Sequence, residues 1–296
     1  MSEHITYSKI TFRCRWEQPP KPIPPLVWRD RFEWQFKKIC CITVKRRCED
    51  CAVRKGCIVP FLFRPEYHFE GVLPLRGSAP LPWVPAYPAF SEEAPFALSI
   101  VLIGRKAVSQ LPYWFVALDR ISKTQYPRFS IQAVESETAD GVRLLYEPSG
   151  DSLFTDPGST APRTFPGARR LRLDTLTPLR LLSGKKPLLN PRFSDIISSI
   201  EHRCRMLKRY YGEGAPDAKP DAVPPDRVHT TPIDVRWQEQ NFFSKKQKET
   251  VSLSGLTGSF VFEGELEPYG ELLGLGEHLG IGKGTALGLG RYAIQA

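Results

Sequence analysis

The chain has 296 residues, of which 41% are hydrophobic and 25% are charged, proportions typical of a soluble protein with one large domain or two smaller ones. Its formal net charge of +9 favours a polyanionic partner such as a nucleic acid. No apolar run approaches the roughly 20 residues of a membrane helix, and the N-terminus lacks the apolar segment of a secretion signal, so we expect a cytoplasmic protein without a membrane partner.

The first hundred residues predict a strand, a basic helix and a proline-rich segment. Residues 5–15 alternate between apolar and polar side chains, which predicts a strand. Residues 28–41 carry apolar side chains at helical spacing with basic residues around them, which predicts an amphipathic helix. The prolines of residues 74–95 deny the backbone regular hydrogen bonds, so we expect an extended surface segment there.

Five of the seven cysteines lie between positions 40 and 57, in a region where residues 1–57 hold 13 Lys and Arg against 6 Asp and Glu. Cys48 and Cys51 are two residues apart, a spacing at which two thiolates can bind one Zn²⁺ ion. The predicted zinc ligands are Cys41, Cys48, Cys51 and Cys57, with Cys40 adjacent. Such a metal would be structural, since four sulfur ligands leave no position for water. Free thiols, an iron–sulfur cluster and a disulfide are the alternatives.

The middle of the chain predicts an α+β arrangement. Residues 96–104 form an apolar run typical of a buried strand, residues 108–121 have helical periodicity, and residues 128–136 read as another strand. This order favours a sheet with helices on one face. Residues 146–168 are rich in Pro, Gly, Ser and Thr, which indicates a boundary between two domains at 1–150 and 151–296.

The second half begins with a predicted strand within residues 168–181 and contains the clearest helix, residues 193–211, with a continuous apolar stripe. The end of this helix is basic, which makes it a candidate for phosphate contacts, although solvated surface charge is the alternative. The candidate residues are Arg203, Arg205, Lys208 and Arg209. Lys245 and Lys246 follow two phenylalanines and combine charge with stacking surface.

Residues 274–291, GLGEHLGIGKGTALGLGR, contain seven glycines. Glycine allows backbone amides to approach a phosphate, and Lys283 supplies a positive charge. The pattern is not a P-loop, because position 277 holds Glu where the leading glycine belongs, and it leaves no room for the βαβ unit of a dinucleotide site. A flexible glycine-rich end is the alternative, although the interleaved leucines favour a packed face.

This segment resembles the glycine-rich signature motif of the RAMP superfamily, specifically of the CRISPR-associated endoribonucleases that process precursor repeat RNA. Residues 280–285 and 288–291 fit the motif, and the similarity extends to residues 96–121, 190–212 and 252–278. RNA contacts are therefore expected from the residues of the motif itself, which are Gly280, Gly282, Lys283, Gly284, Thr285 and Arg291.

The resemblance implies an α+β fold of two tandem ferredoxin-like (RRM-like) domains, the first with a cysteine-rich insertion and the second with a C-terminal glycine-rich loop. It also implies metal-independent cleavage of precursor crRNA by 2′-hydroxyl attack, with no cofactor for catalysis. The product is then expected to stay bound in an effector complex with other CRISPR subunits, in the cytoplasm of a prokaryote. A non-catalytic RAMP subunit that binds crRNA, and an unrelated zinc-containing protein that binds DNA, are the alternatives.

The catalytic residues are harder to predict, because the family commonly places a histidine on or near the first helix and the predicted first helix contains none. Arg29, Arg31 and Lys38 could instead stabilise the pentavalent phosphorane, as in members that depend on arginine. His278 is the second candidate, as base or acid, and His68 the third. The remaining histidines are interpreted as surface residues: His4, His202 and His229.

Overall fold

The computed structural model describes residues 5–18, 21–43, 47–71, 79–88, 95–150, 152–212, 227–244 and 249–296. It divides into two compact units, the first made of residues 1–160 with 210–213 and the second of residues 161–209 with 214–296. None of the helices in the described ranges is both long and apolar enough to span a membrane.

The division falls ten residues after position 150, because the intervening segment is bonded to the first strand. The Thr160 amide donates to the Tyr7 carbonyl at 2.9 Å, and the Lys9 amide donates to the Thr160 hydroxyl oxygen at 2.8 Å. These bonds attach the segment to the first unit.

The first unit contains a five-stranded antiparallel sheet of order β2-β3-β1-β4-β5. Its elements are β1 (Tyr7–Trp16), α1 (Pro25–Cys40), α2 (Ile58–Phe63), α3 (Pro65–His68), β2 (Trp83–Ala86), β3 (Pro95–Ile103), α4 (Arg105–Val108), α5 (Leu111–Thr124), β4 (Phe129–Thr138) and β5 (Gly141–Tyr146). Without β5, the strand order and the helices after β1 and β3 are those of a ferredoxin-like fold.

Aromatic packing between α1 and α5 fills the core of the first unit. Trp28, Phe32 and Phe36 lie one helical turn apart on α1 and are fully buried. The rings of Phe32 and Phe36 contact that of Trp114 on α5 at centroid distances of 5.1 and 4.9 Å. Burial of each such side chain stabilises the fold by roughly 1.5–3 kcal/mol. The predicted helix therefore exists, but it begins earlier, at Pro25, because proline suits the first helical turn.

The described part of the proline-rich segment, residues 79–88, contains β2, and the expectation of a surface segment is wrong here. Trp83 is fully buried and donates its indole N–H to the Leu62 carbonyl at 2.9 Å. Proline lacks the amide hydrogen that a strand donates to its neighbour. Pro85 is tolerated because β2 lies at the edge of the sheet and has a neighbouring strand on one side only.

The second unit contains a four-stranded antiparallel sheet of order β13-β6-β12-β9. Its elements are β6 (Arg170–Thr175), β7 (Leu182–Ser183), β8 (Lys186–Pro187), α6 (Phe193–Tyr211), β9 (His229–Gln238), β10 (Asn241–Ser244), β11 (Glu249–Ser252), β12 (Gly255–Glu263), α7 (Gly270–Leu279) and β13 (Tyr292–Gln295). The sequence β6-α6-β9-β12-α7-β13 has ferredoxin-like connectivity, so the prediction of two such folds is confirmed.

The predicted apolar stripe of α6 forms the core of the second unit. Phe193, Ile196 and Ile200 are buried in one cluster with side chains of β6, β12 and α7. Gly274 and Gly276, the first two glycines of residues 274–291, lie inside α7, before the loop begins. A Cβ atom at Gly276 would overlap the Tyr292 hydroxyl, so glycine is needed there for close helix packing.

The rest of the glycine-rich motif, residues 280–291, forms a loop that packs against residues 178–181 of the same unit. Its five glycines all have positive φ, between 66° and 84°, a conformation that costs other residues energy: Gly280, Gly282, Gly284, Gly288 and Gly290. A Cβ at Gly290 would overlap the Ile281 carbonyl oxygen, and one at Gly282 would overlap that of Arg180. The backbone can therefore pack against itself only where these side chains are missing.

The amides of this loop are largely used within the protein. Those of Ile281 and Lys283 donate to the carbonyls of Gly290 (2.9 Å) and Arg180 (2.8 Å), and that of Gly290 donates to the Pro178 carbonyl (3.0 Å). The amides of Ile281, Lys283 and Gly290 are therefore not free for a phosphate, because each already has an acceptor. These glycines are required for packing.

Gly290→Ala should destabilise the protein more than Gly167→Ala. Both glycines have similar φ values, +71° and +68°, but a Cβ at Gly167 meets nothing within 4 Å. We expect a loss of about 1–2 kcal/mol for Gly167→Ala from backbone strain alone, and about 3 kcal/mol or more for Gly290→Ala because the clash adds to it. Urea unfolding measures both, and equal losses would contradict the packing described for the loop.

Candidate nucleic-acid interface

The last turns of α6 present a basic face. His202, Arg205 and Arg209 are exposed and are three and four residues apart, so they lie on the same side of the helix. Lys208 is half-buried beside them. The arrangement places several positive charges along one edge of the second unit, as a phosphate-binding helix requires.

Arg203 connects α6 to the start of the glycine-rich loop. Its Nε donates to the carbonyl of Leu279, the last residue of α7, at 3.1 Å. Carbonyls at a helix C-terminus have no partner inside the helix, and a cation there also interacts favourably with the helix dipole. The bond therefore fixes the position of α6 relative to Gly280, where the loop begins.

Lys283 lies close enough to α6 for the two to interact electrostatically. Its side chain is exposed, whereas its amide is held by the Arg180 carbonyl. Partial burial lowers the pKa of His202, and the charges of Arg205, Lys283 and Arg203 lower it further, in that order. Together, these residues form what we call the α6–loop cluster: His202, Arg203, Arg205 and Lys283.

The other predicted RNA-binding residues are less accessible. Gly280 and Thr285 are buried, and Gly282 and Gly284 are half-buried. Arg291 is half-buried, and burial lowers the pKa of its guanidinium. Lys245 and Lys246 lie outside the described residues. The side chain of Lys283 is therefore the group of the motif that is most accessible to a phosphate.

The three predicted catalytic cations of α1 contact different parts of the first unit. Arg29 donates to the Phe63 carbonyl at 3.5 Å, and Arg31 donates to the Tyr126 carbonyl at 2.8 Å. The Lys38 ammonium lies 5.1 Å from the centroid of the Trp34 ring. Within the part of the chain that the structure describes, these contacts do not bring the three cations together, so their catalytic role stays a prediction.

Two of the histidine candidates are buried. His278 lies in the last turn of α7 and is 8% exposed, which disfavours direct proton transfer with RNA in this conformation. His68 is 9% exposed, and its Nε2 lies 3.5 Å from the Lys106 ammonium. Burial, followed by the charge of Lys106, lowers the pKa of His68. Both rings are better explained as parts of packed structure.

The cysteines between positions 40 and 57 are free and neighbour one another. Burial raises the pKa of Cys40 to about 11, with smaller contributions from Cys57 and Cys41, and burial is also the main cause of the raised pKa values of Cys48 and Cys57. Across the described residues, no group of three or more His, Cys, Asp or Glu side chains is arranged to hold a metal ion. Zinc binding by Cys41, Cys48, Cys51 and Cys57 stays a prediction.

His202 is the residue of this interface that sequence reasoning missed. The sequence predicts only a surface residue, which the exposure of His202 confirms, because nothing in the sequence places it near Lys283. One signal was available: His202 stands three residues before Arg205 on a helix already predicted to contact phosphate, so the two share a face. The proximity to Lys283 follows only from the fold.

Two family models match successive parts of the chain. Residues 5–157, more than half of the chain, match AF_1859_N, described as an N-terminal domain. Residues 173–292, which include α6 and the glycine-rich loop, match CRISPR-associated endoribonuclease Cas6. No curated protein is significantly similar to the chain.

Solved structures of Cas6 proteins share the fold at low sequence identity. The product complex of Cas6 (TTHA0078) has a TM-score of 0.56 at 17% identity, over 98% of this chain and 100% of that chain. The product complex of Cas6 (TTHB231) has a TM-score of 0.56 at 13% identity, over 98% and 100%. Thermus thermophilus Cas6 (TTHB231) has a TM-score of 0.52 at 12% identity, over 98% and 99%. The AF_1859_N domain covers just over half of the chain, so the chain belongs to the proteins with that N-terminal domain, and its residues 173–292 are similar to CRISPR-associated endoribonuclease Cas6.

Proposed function

We propose that this protein binds CRISPR repeat RNA and cleaves it as an endoribonuclease. The observation that carries the proposal is the α6–loop cluster, which lies within the part of the chain that matches Cas6. Arg205 and Lys283 are exposed and Arg203 is half-buried, and positive charges at an accessible surface favour a ligand with several negative charges, such as an RNA backbone.

The proposed reaction is an attack of a ribose 2′-hydroxyl on the adjacent phosphate, without a metal ion. It leaves a 2′,3′-cyclic phosphate on one fragment and a 5′-hydroxyl on the other. The step needs a base for the hydroxyl proton and positive charge near the phosphorane oxygens. Arg203, Arg205 and Lys283 could supply that charge, and the cations predicted from the sequence, Arg29, Arg31 and Lys38, are the alternative source.

After cleavage, the protein is proposed to stay on the mature crRNA as a subunit of an effector complex in the prokaryotic cytoplasm. Many phosphate contacts give slow dissociation at moderate salt, which supports retention. The main alternative is a non-catalytic RAMP subunit that binds crRNA. The absence of histidine from α1, together with the burial of His68 and His278, favours this alternative.

Incubation of the purified protein with end-labelled repeat RNA in EDTA distinguishes an endoribonuclease from a non-catalytic RNA-binding subunit. We expect one cut, with a 2′,3′-cyclic phosphate end. A repeat with a 2′-deoxy substitution at the scissile nucleotide should bind as well but stay intact, because it lacks the nucleophile. Intact unmodified RNA that is tightly bound would favour the non-catalytic subunit. Cleavage that requires added Mg²⁺ would contradict the proposed mechanism.

Lys283→Ala should weaken repeat binding by about 1 kcal/mol and reduce the salt dependence of binding by about one phosphate contact. The measurement is a titration of RNA at several salt concentrations. Lys123→Ala is the matched control, since Lys123 is an exposed lysine on α5 whose ammonium lies 2.8 Å from the Asp119 carboxylate. Unchanged binding by Lys283→Ala would show that the loop does not contact RNA.

A further inference from the structure

We propose that the outer face of α1 is a stacking platform for an unpaired nucleobase, with Trp34 as the stacking ring and Lys38 as the contact to the adjacent phosphate. The inference adds a binding surface in the first unit and rests on the proposed function only for the identity of its ligand as RNA. The surface, which we call the α1 platform, consists of Arg31, Trp34, Lys37 and Lys38.

Trp34 lies on the side of α1 that the core does not use. Two residues along a helix correspond to a rotation of about 200°, so Trp34 points away from Phe32 and Phe36. Those two rings pack against Trp114 in the core. Of the six tryptophans, all of which lie in the described ranges, Trp34 is the exposed one, at 47%. The packing of the first unit therefore does not depend on this indole ring.

The charges that surround Trp34 on the helix are mostly positive. The residues three and four positions away from it, which share its face, are Asp30, Arg31, Lys37 and Lys38. Three cations and one carboxylate leave a net charge of +2 around the ring. This charge favours a ligand with negative charges. It disfavours an apolar protein partner, because such a partner needs a contiguous apolar patch.

Lys38 contacts the ring to which a base would bind. Its ammonium lies over the indole of Trp34, 5.1 Å from the ring centroid. A cation–π contact between exposed side chains is weaker than the stacking of a nucleobase on an aromatic ring. A base can therefore replace the ammonium over the indole. The ammonium, on its flexible four-carbon chain, can then bind the phosphate of the same strand.

Arg31 holds a second exposed aromatic residue beside α1. Its guanidinium donates to the Tyr126 carbonyl at 2.8 Å and lies 5.8 Å from the centroid of the Trp28 ring. Tyr126 is 51% exposed. Proteins that bind single-stranded nucleic acid combine positive charge with several aromatic side chains on which successive bases stack. The α1 platform and Tyr126 have this composition.

Unpaired RNA fits these groups better than duplex RNA. Bases in a duplex stack on one another, so an exposed indole can stack only on a base that lies in a single-stranded segment or has left the helix. Stacking tolerates any base, because every base has an aromatic face. The α1 platform is therefore expected to bind a single-stranded segment with little dependence on its sequence.

The test is a titration of the full-length protein with an unstructured RNA oligonucleotide of about eight nucleotides and with an abasic oligonucleotide of the same length. Trp34→Leu keeps an apolar side chain without an aromatic face, and it should weaken binding of the first oligonucleotide by about tenfold. Trp34→Phe keeps an aromatic face and should weaken it by less than about threefold. The abasic oligonucleotide should bind equally to the wild-type protein and to Trp34→Leu, because it offers no base to stack.

Indole fluorescence gives an independent readout of the same contact. A stacked base should quench the emission of Trp34, whereas the abasic oligonucleotide should not. Trp34→Phe should lose this quenching although it still binds. Phe154→Ala is the matched control, since Phe154 is an aromatic residue outside the α1 platform that is 69% exposed. It should bind both oligonucleotides as the wild-type protein does.

The outcomes distinguish this inference from the endoribonuclease function. Equal affinity of Trp34→Leu and the wild-type protein for the oligonucleotide with bases would overturn the inference, and so would an equal loss of affinity for both oligonucleotides. Failure of the wild-type protein to bind unpaired RNA would also overturn it. None of these measurements involves cleavage. If the variants behave as expected but repeat RNA stays intact, the α1 platform stands and the endoribonuclease function falls.

Discussion

The close packing of backbone against backbone in the glycine-rich loop is the constraint on which the interface depends. Gly282 and Gly290 combine positive φ with positions where a Cβ would overlap a carbonyl oxygen. Only glycine satisfies both conditions, so the loop can rest on residues 178–181 and direct the Lys283 side chain to the surface. The glycines therefore act through packing, because they allow the loop backbone to hold Lys283 at the surface.

The fold was largely predictable because its elements have strong periodicity. The apolar stripe of α6 and the apolar run of β3 predicted their structures from side-chain spacing alone. The failure at residues 79–88 has a physical reason. Proline restricts backbone hydrogen bonding but says nothing about burial, and an edge strand can contain Pro85 while Trp83 fills the core. Burial of an irregular segment depends on contacts that are distant in sequence.

The candidate interface was predictable in composition but not in geometry. The sequence predicted that the end of α6 is basic and that the glycine-rich motif with Lys283 contacts phosphate. It could not show the direction in which each side chain points. Arg31 lies on the predicted first helix, but its guanidinium is used by the Tyr126 carbonyl, a residue 95 positions away. The sequence gives no sign that His202 differs from other surface histidines, but the charge of Lys283 in the loop contributes to its lowered pKa. Both outcomes depend on tertiary contacts.

The same electrostatics couple RNA binding to proton uptake. In the free protein, burial lowers the pKa of His202, and repulsion from the charges of Arg205, Lys283 and Arg203 lowers it further. A bound phosphate adds negative charge, which relieves the repulsion and must raise that pKa. By linkage, binding then takes up protons wherever the pH lies between the two pKa values of His202, and affinity increases as the pH falls through that interval. A surface that places like charges around a histidine thereby favours a polyanionic ligand.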